Sequence, residues 1–412
     1  MRENPAKKIY GKDTMTAEER LTAVVRLEEP DRVPLSMMLY YYNPFHTGHR
    51  MSEYMSRPEV YRESSRKVYE ELGPWDIYYN INPISRLLYS YAMMMRYLYP
   101  GVELPDNGMA QVEEIEYMKP EDYDAILEQG YLLNDLRFRM RMLPRFCKDA
   151  EGVRPARLWP TVARDFIRQK LFWKKDLDWC QERGLVMQIG MQAEMPFDLF
   201  SMARTVVPFS LDLFQRPDKI RRAALRLAPS FAEFMIQVAR LMGVPRIQCY
   251  CHRTSNSFIS PRQFEELVFP SLEEIVCRII DAGMTPILHC DGDWLKNFKV
   301  LRRLPPKKII LQLDGLTDIF EAKERIGDHM CLFGDVSAEK LALGSPQEVE
   351  ETCHRLIQEV GKGGGFILAG GCEIPYNAKP ENLKAMTESV FKYGYYEVRP
   401  AMPVQAPLPR AR

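Results

Sequence analysis

The stretch PILHCDGD, residues 286–293, and the stretch GGGFILAGGCEIP, residues 363–375, decide the fold of this chain. Each is a short apolar run that stops in a glycine-containing turn carrying histidine, cysteine or acidic side chains. Buried parallel strands deliver functional side chains in this way to the carboxyl-terminal face of an α/β barrel. The two stretches therefore predict a barrel whose site offers imidazole, thiolate and carboxylate groups.

Similar apolar, β-branched or aromatic runs of strand length recur on both sides of these stretches, with helical patterns between them. We predict eight strands, near residues 33–39, 75–80, 185–191, 246–251, 284–290, 308–314, 331–336 and 365–370. This alternation favours an α/β fold consisting of one (β/α)8 TIM barrel over residues 1–400, with a helical extension before the first strand.

Two segments fit the barrel pattern poorly. Residues 81–180 are rich in methionine, tyrosine and arginine, and we interpret them as an insertion after the second strand that caps the barrel mouth. Residues 401–412 contain several prolines and are expected to form a disordered tail.

Composition limits the partners. The 56 Lys and Arg residues balance the 56 Asp and Glu residues, so no long-range field draws the chain to nucleic acid or to an anionic membrane.

The nine cysteines are scattered and odd in number. Residues 1–8 lack an apolar signal core, and no run approaches the roughly 18 apolar residues of a membrane span. These features predict a cytoplasmic protein that acts on a small molecule.

A metal site is the sharpest prediction at the strand ends. Side chains alternate along a strand, so His289 and Asp291 project to one side and Cys290 to the other. His289, Asp291 and Cys372, which follows the eighth strand, form a three-ligand set that Zn²⁺ accepts. If the strand ends one residue earlier, Cys290 replaces Asp291. The alternative without a metal is that the histidine is buried and hydrogen-bonded to a neighbouring carboxylate, and that the cysteine is structural.

Acidic and basic residues at other strand ends are candidates for catalysis and binding. Glu194, His252 and Asp335 are predicted to hold or move a proton, and Asp314 to bind substrate. His252 is alternatively a metal ligand, and any of the acidic residues could also hold a metal. Arg253 is expected to clamp a carboxylate. Each acidic residue is an equally good candidate for a helix cap.

Aromatic residues near the first two strands suggest a pocket for an apolar or aromatic compound. Tyr41, His46 and Tyr79 are the candidate substrate-binding residues there. Core packing explains many of the neighbouring methionines equally well.

Several motifs resemble the uroporphyrinogen decarboxylase superfamily. They are RLTAVVRLEEPDRVP at residues 20–34, SPRQF at 260–264, the strand of His289, GDV at 334–336, and the glycine-rich strand from 364 to Cys372. These stretches span nearly the whole chain, and residues 81–180 carry the least resemblance.

The resemblance implies one of two chemistries. Decarboxylases of the superfamily use an arginine-rich loop after the first strand to bind a tetrapyrrole, and this chain has YYYNPFH at residues 40–46 instead. Corrinoid-linked methyltransferases of the superfamily hold zinc with a His-x-Cys pair and a later cysteine. His289 and Cys372 match those positions, and Asp291 stands in the middle one.

The resemblance therefore favours a zinc-dependent methyltransferase. It would move a methyl group from a small O-methyl, N-methyl or S-methyl donor, such as a methoxylated aromatic compound, to a corrinoid (cobalamin) on a separate protein. A lyase acting on a small carboxylic acid and a noncatalytic ligand-binding relative are the alternatives. The resemblance also favours a homodimer and leaves the methyl donor open.

Overall fold

Short parallel strands alternate with helices in the described part of the chain, residues 12–81 and 85–397 of the computed structural model. The strands are β1 (Ser36–Met37), β2 (Ile77–Tyr78), β3 (Arg96–Leu98), β4 (Gln111–Glu113), β5 (Val186–Met187), β6 (Met191–Glu194), β7 (Arg246–Cys251), β8 (Thr285–Cys290), β9 (Ile310–Leu313), β10 (Cys331–Val336) and β11 (Phe366–Gly370). The predicted tail, residues 401–412, lies outside the described residues.

Helices surround these strands. They are Ala17–Val25, Tyr42–Thr47, Met51–Ser56, Pro58–Leu72, Arg86–Met93, Asp122–Gln129, Leu136–Phe146, Lys148–Ala150, Pro155–Arg183, Pro196–Arg204, Val206–Gln215, Pro217–Met242, Pro261–Gln263, Phe264–Val268, Phe269–Asp281, Leu295–Asn297, Phe298–Leu301, Ile319–Ile326, Ala338–Leu343, Pro346–Arg355, Leu356–Val360 and Pro380–Tyr393. Helix Ala17–Val25 is the predicted extension before the first strand, and a capping box of Thr16 and Glu19 begins it. Within the described ranges, no helix is both long and apolar enough to cross a membrane.

The strands form the predicted TIM barrel. β1, β2 and β5 pair in parallel, as do β6 through β11 in chain order. A parallel bridge between Leu35 and Leu368 brings the last strand beside the first. β5 and β6 together form the third strand of the barrel, so eight parallel strands follow one another around the ring.

The third strand ends later than predicted because it changes partner midway. The amide of Gln188 donates to the Tyr78 carbonyl at 2.9 Å, and that of Gly190 donates to the Arg246 carbonyl at 2.8 Å. A Cβ at Gly190 would lie 2.1 Å from the Val244 carbonyl oxygen, so only glycine allows this approach. The strand continues to Glu194 and sets that carboxylate at the barrel mouth.

The segment after β2 both covers the mouth and supplies a barrel helix. Its first part contains helix Arg86–Met93 and the antiparallel hairpin of β3 and β4. The carboxyl-terminal half of helix Pro155–Arg183 instead packs on the barrel, since Trp173 and Trp179 are buried and Trp173 Nε1 donates to the Met242 carbonyl at 3.0 Å. The part of the segment that covers the barrel mouth is therefore shorter than the predicted insertion, residues 81–180.

Side-chain alternation separates two layers of the core. Ile287, Ile310 and Phe333 pack together inside the barrel. Leu288 and Cys290, on the other face of β8, pack with the outer layer of helical side chains. This parity directs His289 inward, as predicted from the sequence.

A buried ionic cluster closes the opposite, amino-terminal end of the barrel. Asp76, immediately before β2, accepts from Arg20 Nη1 at 2.6 Å, from Arg32 Nη1 at 2.7 Å and from the amide of Leu35 at 2.8 Å. Asp13 and Asp31 complete the pairing of the two arginines. The cluster fixes the amino-terminal helix to the first two strands.

We predict that Asp76→Asn lowers the free energy of unfolding by about 3–5 kcal/mol, because it leaves two buried guanidinium groups undercompensated. Denaturant unfolding followed by circular dichroism measures this loss. Glu266→Gln, which breaks the exposed Arg262–Glu266 pair, is the control and should cost less than about 1 kcal/mol. Equal losses in both variants would contradict a stabilising role for the cluster.

Candidate metal centre and its cavity

The carboxyl-terminal ends of the strands open into a cavity of about 460 Å³. The barrel contributes acidic and imidazole side chains to its floor. The segment after β2 contributes apolar and aromatic walls, including Met94, Tyr97 and Ile115. This segment thus lies over the strand ends as an apolar layer, in the capping position that the sequence predicts.

His289 is held by its neighbour on β9. The two residues are register partners, and His289 Nδ1 lies 2.9 Å from Oε1 of Gln312. The Gln312 amide nitrogen faces Met38 Sδ, so Oε1 accepts and Nδ1 carries the hydrogen. The free lone pair is therefore on Nε2, which lies 3.2 Å from Oδ1 of Asp291.

His252 meets the same carboxylate from the loop after β7. Its Nε2 lies 3.6 Å from Oδ2 of Asp291, and its Nδ1 lies 3.2 Å from Oε2 of the buried Glu194. Both imidazoles thus have Nδ1 beside an oxygen acceptor and Nε2 directed at Asp291. Second-shell oxygens orient metal-binding histidines in this way.

The donor set fits a divalent transition metal. One ligand atom each from His252, His289 and Asp291 lies within 4.8 Å of the other two. Asp291 Oδ1 is buried and makes no hydrogen bond, although it faces Nε2 of His289. Two imidazole nitrogens and a carboxylate oxygen form a common catalytic zinc set that leaves a position open.

Electrostatics also favours a cation between these groups. Burial lowers the pKa of His289, but the nearby Asp291 carboxylate and Cys372 thiol outweigh burial and raise that pKa well above its usual range. Burial also lowers the pKa of His252, but the Glu194 carboxylate outweighs burial, so this pKa is raised as well. A positive charge is therefore stabilised where the two Nε2 atoms converge.

The structure places His252, which the sequence left open as a ligand or a general base, beside His289 and Asp291. Cys372 lines the cavity and its thiol approaches His289, so it remains a candidate for a further ligand. Cys290, the alternative ligand, is 1% exposed and lies beside Cys251 on the outer face of β8. Strand parity turns its thiol away from the cavity.

Tyr41, Tyr79 and Arg253 line the cavity, as expected for substrate-binding residues. Arg253, however, forms an ion pair with Glu114 of the overlying segment. Its guanidinium group is engaged within the protein, which argues against the predicted clamp on a substrate carboxylate.

Three other predicted site residues do not line this cavity. His46 lies in helix Tyr42–Thr47, and its Nε2 is 2.6 Å from Glu71. Asp314 accepts from the amides of Gly292 and Leu316, which braces two loops. Asp335 lies nearby, half-buried, with Oδ1 against the Gly371 backbone. Asp314 therefore has a structural contact, whereas Asp335 Oδ1 makes no hydrogen bond within the described residues.

Gln312 and Glu373 are cavity-related residues that the sequence reasoning missed. Gln312 is the inward-facing polar residue of the apolar run IILQL, residues 309–313, and that mismatch was a usable signal. Glu373 follows Cys372, and its Oε1 accepts from the Tyr79 hydroxyl at 3.0 Å. Burial raises the pKa of Glu373 to about 7, against the opposing effect of the Tyr79 bond.

Comparisons with known proteins agree with this fold. The sequence model of the uroporphyrinogen decarboxylase (URO-D) family matches residues 181–393, which include β6 through β11 and the three clustered ligands. The chain belongs to this family.

Individual relatives are distant. A uroporphyrinogen decarboxylase of Idiomarina loihiensis is 24% identical over 188 residues, covering 44% of this chain and 50% of the relative. One of Pseudoalteromonas atlantica is 32% identical over 146 residues, covering 34% of this chain and 39% of the relative. The chain thus matches half or less of the length of these curated relatives. A solved methyltransferase from Methanosarcina mazei shares the fold with a TM-score of 0.63 at 17% identity, covering 92% of this chain and 99% of that one.

Asp335 generates a pH-dependent prediction. Burial, followed by the Asp314 and Asp318 carboxylates, raises its pKa from 3.8 to about 7. The folded state therefore keeps a proton that the unfolded state releases, so stability falls as pH rises from about 4 to 7. Asp335→Asn should be more stable than the wild type at pH 8 by about 4 kcal/mol, with a smaller difference at pH 5.

Urea unfolding at both pH values measures this difference. Glu339→Gln, on an exposed helix position, serves as the control and should leave the pH dependence unchanged. A wild-type stability that rises between pH 5 and 8 relative to Asp335→Asn would refute the raised pKa.

Proposed function

We propose that the protein is a zinc-dependent methyltransferase that moves a methyl group from a small methylated donor to a corrinoid carried by a separate protein. The donor is an O-methyl compound such as a methoxylated aromatic, or an N-methyl or S-methyl compound. The observation that carries the proposal is the convergence of His252, His289 and Asp291 in an aromatic cavity. The shared fold with a methyltransferase supports it.

His252, His289 and Asp291 would hold the zinc, with Cys372 beside them. Bound zinc supplies a Lewis acid that polarises the heteroatom carrying the methyl group. Gln312 and Glu194 keep both imidazoles in the orientation that leaves Nε2 free. The tyrosine and methionine walls exclude water, which strengthens electrostatic interactions inside the cavity.

The size of the cavity supports a separate carrier for the corrinoid. A volume of about 460 Å³ suits a small donor. A corrin ring with its side groups is larger, so the carrier protein would present it at the mouth. We place this reaction in the cytoplasm, where the nine cysteines, which form no disulfide, stay reduced.

A carboxy-lyase acting on a small acid is the second candidate, because the curated relatives have the name uroporphyrinogen decarboxylase. The electrostatics of the cavity favour it less. Arg96 and Arg253, which line the cavity, are both paired with glutamates, so neither is free for a substrate carboxylate. Release of CO₂ from candidate acids by the metal-free protein would favour the lyase.

We expect one zinc ion per chain in protein purified without chelators. His289→Ala, His252→Ala and Asp291→Ala should each reduce zinc content and weaken zinc affinity, because each removes a ligand. Cys372→Ser tests the additional thiol. Elemental analysis and competition with a chromophoric chelator measure both quantities.

Cys290→Ser is the matched control, since this thiol faces the outer core and its replacement should leave zinc content unchanged. Full zinc retention in both His289→Ala and Asp291→Ala, each folded by circular dichroism, would refute this ligand set.

Gln312→Leu should lower turnover and zinc affinity by about 10- to 100-fold, because the His289 ring loses the acceptor that fixes its tautomer. Methylation of a reduced corrinoid protein, followed by its absorbance change across a panel of methylated donors, measures turnover. Gln312→Glu retains an acceptor and should recover part of the activity. Absence of corrinoid methylation by the zinc-loaded wild type with every donor class would overturn the methyltransferase proposal.

A further inference from the structure

Glu373 is a carboxylate of the cavity lining that lies outside the three clustered ligand candidates and forms no ion pair within the described residues. Tyr79 donates its hydroxyl to Oε1 of Glu373 at 3.0 Å. Tyr41 and Tyr89 line the same cavity. The carboxylate therefore shares this cavity with several aromatic side chains.

Neither arginine that lines the cavity is paired with Glu373. Arg96 and Arg253 are the permanent cations that line the cavity within the described residues, and each is paired with a glutamate, Glu113 and Glu114 respectively. Glu194 and Asp291 face the two imidazoles. A group that enters beside Glu373 thus meets aromatic rings and a carboxylate that neither lining arginine neutralises.

Tyrosine rings and a carboxylate together attract one class of ligand. The face of a tyrosine ring carries negative potential and stabilises a nearby cation, most strongly where water is excluded. Tyr41, Tyr79, Tyr89 and Tyr250 all line this cavity. Alkylated ammonium groups suit such a surface, because their charge is spread over an apolar shell.

We infer that the cavity contains a subsite for an ammonium group, formed by Glu373 and the surrounding tyrosines, and that the substrate carries such a group apart from the methyl group it loses. The inference rests on the proposed function only in that it concerns the substrate of the same cavity. A cationic donor is retained at Glu373, whereas a donor bearing a carboxylate is repelled.

Three compounds of one shape test the charge preference in the zinc-loaded protein. They are choline, its neutral isostere 3,3-dimethylbutan-1-ol, and the anion 3,3-dimethylbutanoate. Choline has no lone pair on nitrogen, so binding through a metal–nitrogen bond does not arise. Calorimetry or ligand-observed NMR should show choline binding about tenfold more tightly than the neutral compound, and the anion more weakly than either.

Variants separate the carboxylate from the rings. Glu373→Gln should remove most of the preference for choline, and Tyr89→Leu should reduce it, while Tyr89→Phe keeps the ring and the preference. Glu339→Gln, at an exposed helix position, is the charge-matched control and should behave as the wild type. Thermal unfolding verifies that each variant is folded.

Equal binding of choline and the neutral isostere, or tighter binding of the anion, would overturn the ammonium subsite, and this comparison needs only the wild type. Because it does not use corrinoid, its result is independent of the methyl-transfer assay. A cation preference without corrinoid methylation would refute the proposed reaction and leave the subsite; methylation without a cation preference would do the reverse.

Discussion

The parallel register of four strands is the constraint on which the site depends. Glu194 of β6 is paired with Tyr250 of β7, Tyr250 with His289 of β8, and His289 with Gln312 of β9. One layer of the barrel therefore contains a metal-facing imidazole, the acceptor that sets its tautomer, and the carboxylate beside His252. A slip of one residue in β8 would turn His289 into the outer core and bring Cys290 inward.

Charged groups are buried at both ends of this barrel, but with different consequences. At the amino-terminal end, Arg20 and Arg32 have full complements of carboxylates, so the charges fix one arrangement of the chain. At the carboxyl-terminal end, the Asp291 and Glu194 oxygens face imidazoles without completed hydrogen bonds. The charges at the amino-terminal end stabilise the fold. The carboxylate oxygens at the carboxyl-terminal end can still pair with a bound cation.

Local sequence patterns were sufficient for the barrel and for the orientation of His289 and Asp291, since apolar strand runs and side-chain parity are local properties. They were insufficient where distant segments meet. The extension of the third strand to Glu194 depends on the backbone approach between Gly190 and Val244. The path of the loop after β7 brings His252 to Asp291, and the overlying segment supplies the partner of Arg253. Neither contact has a signature in the neighbouring residues.

The residues that line the cavity come from two separate parts of the chain. The zinc-binding candidates come from strand ends of the barrel, whereas much of the wall comes from the segment between β2 and helix Pro155–Arg183. Mutations in that segment can reshape the wall while the metal-facing residues and their supporting register stay unchanged. Such a division allows the shape of the cavity to change separately from the groups that face the metal.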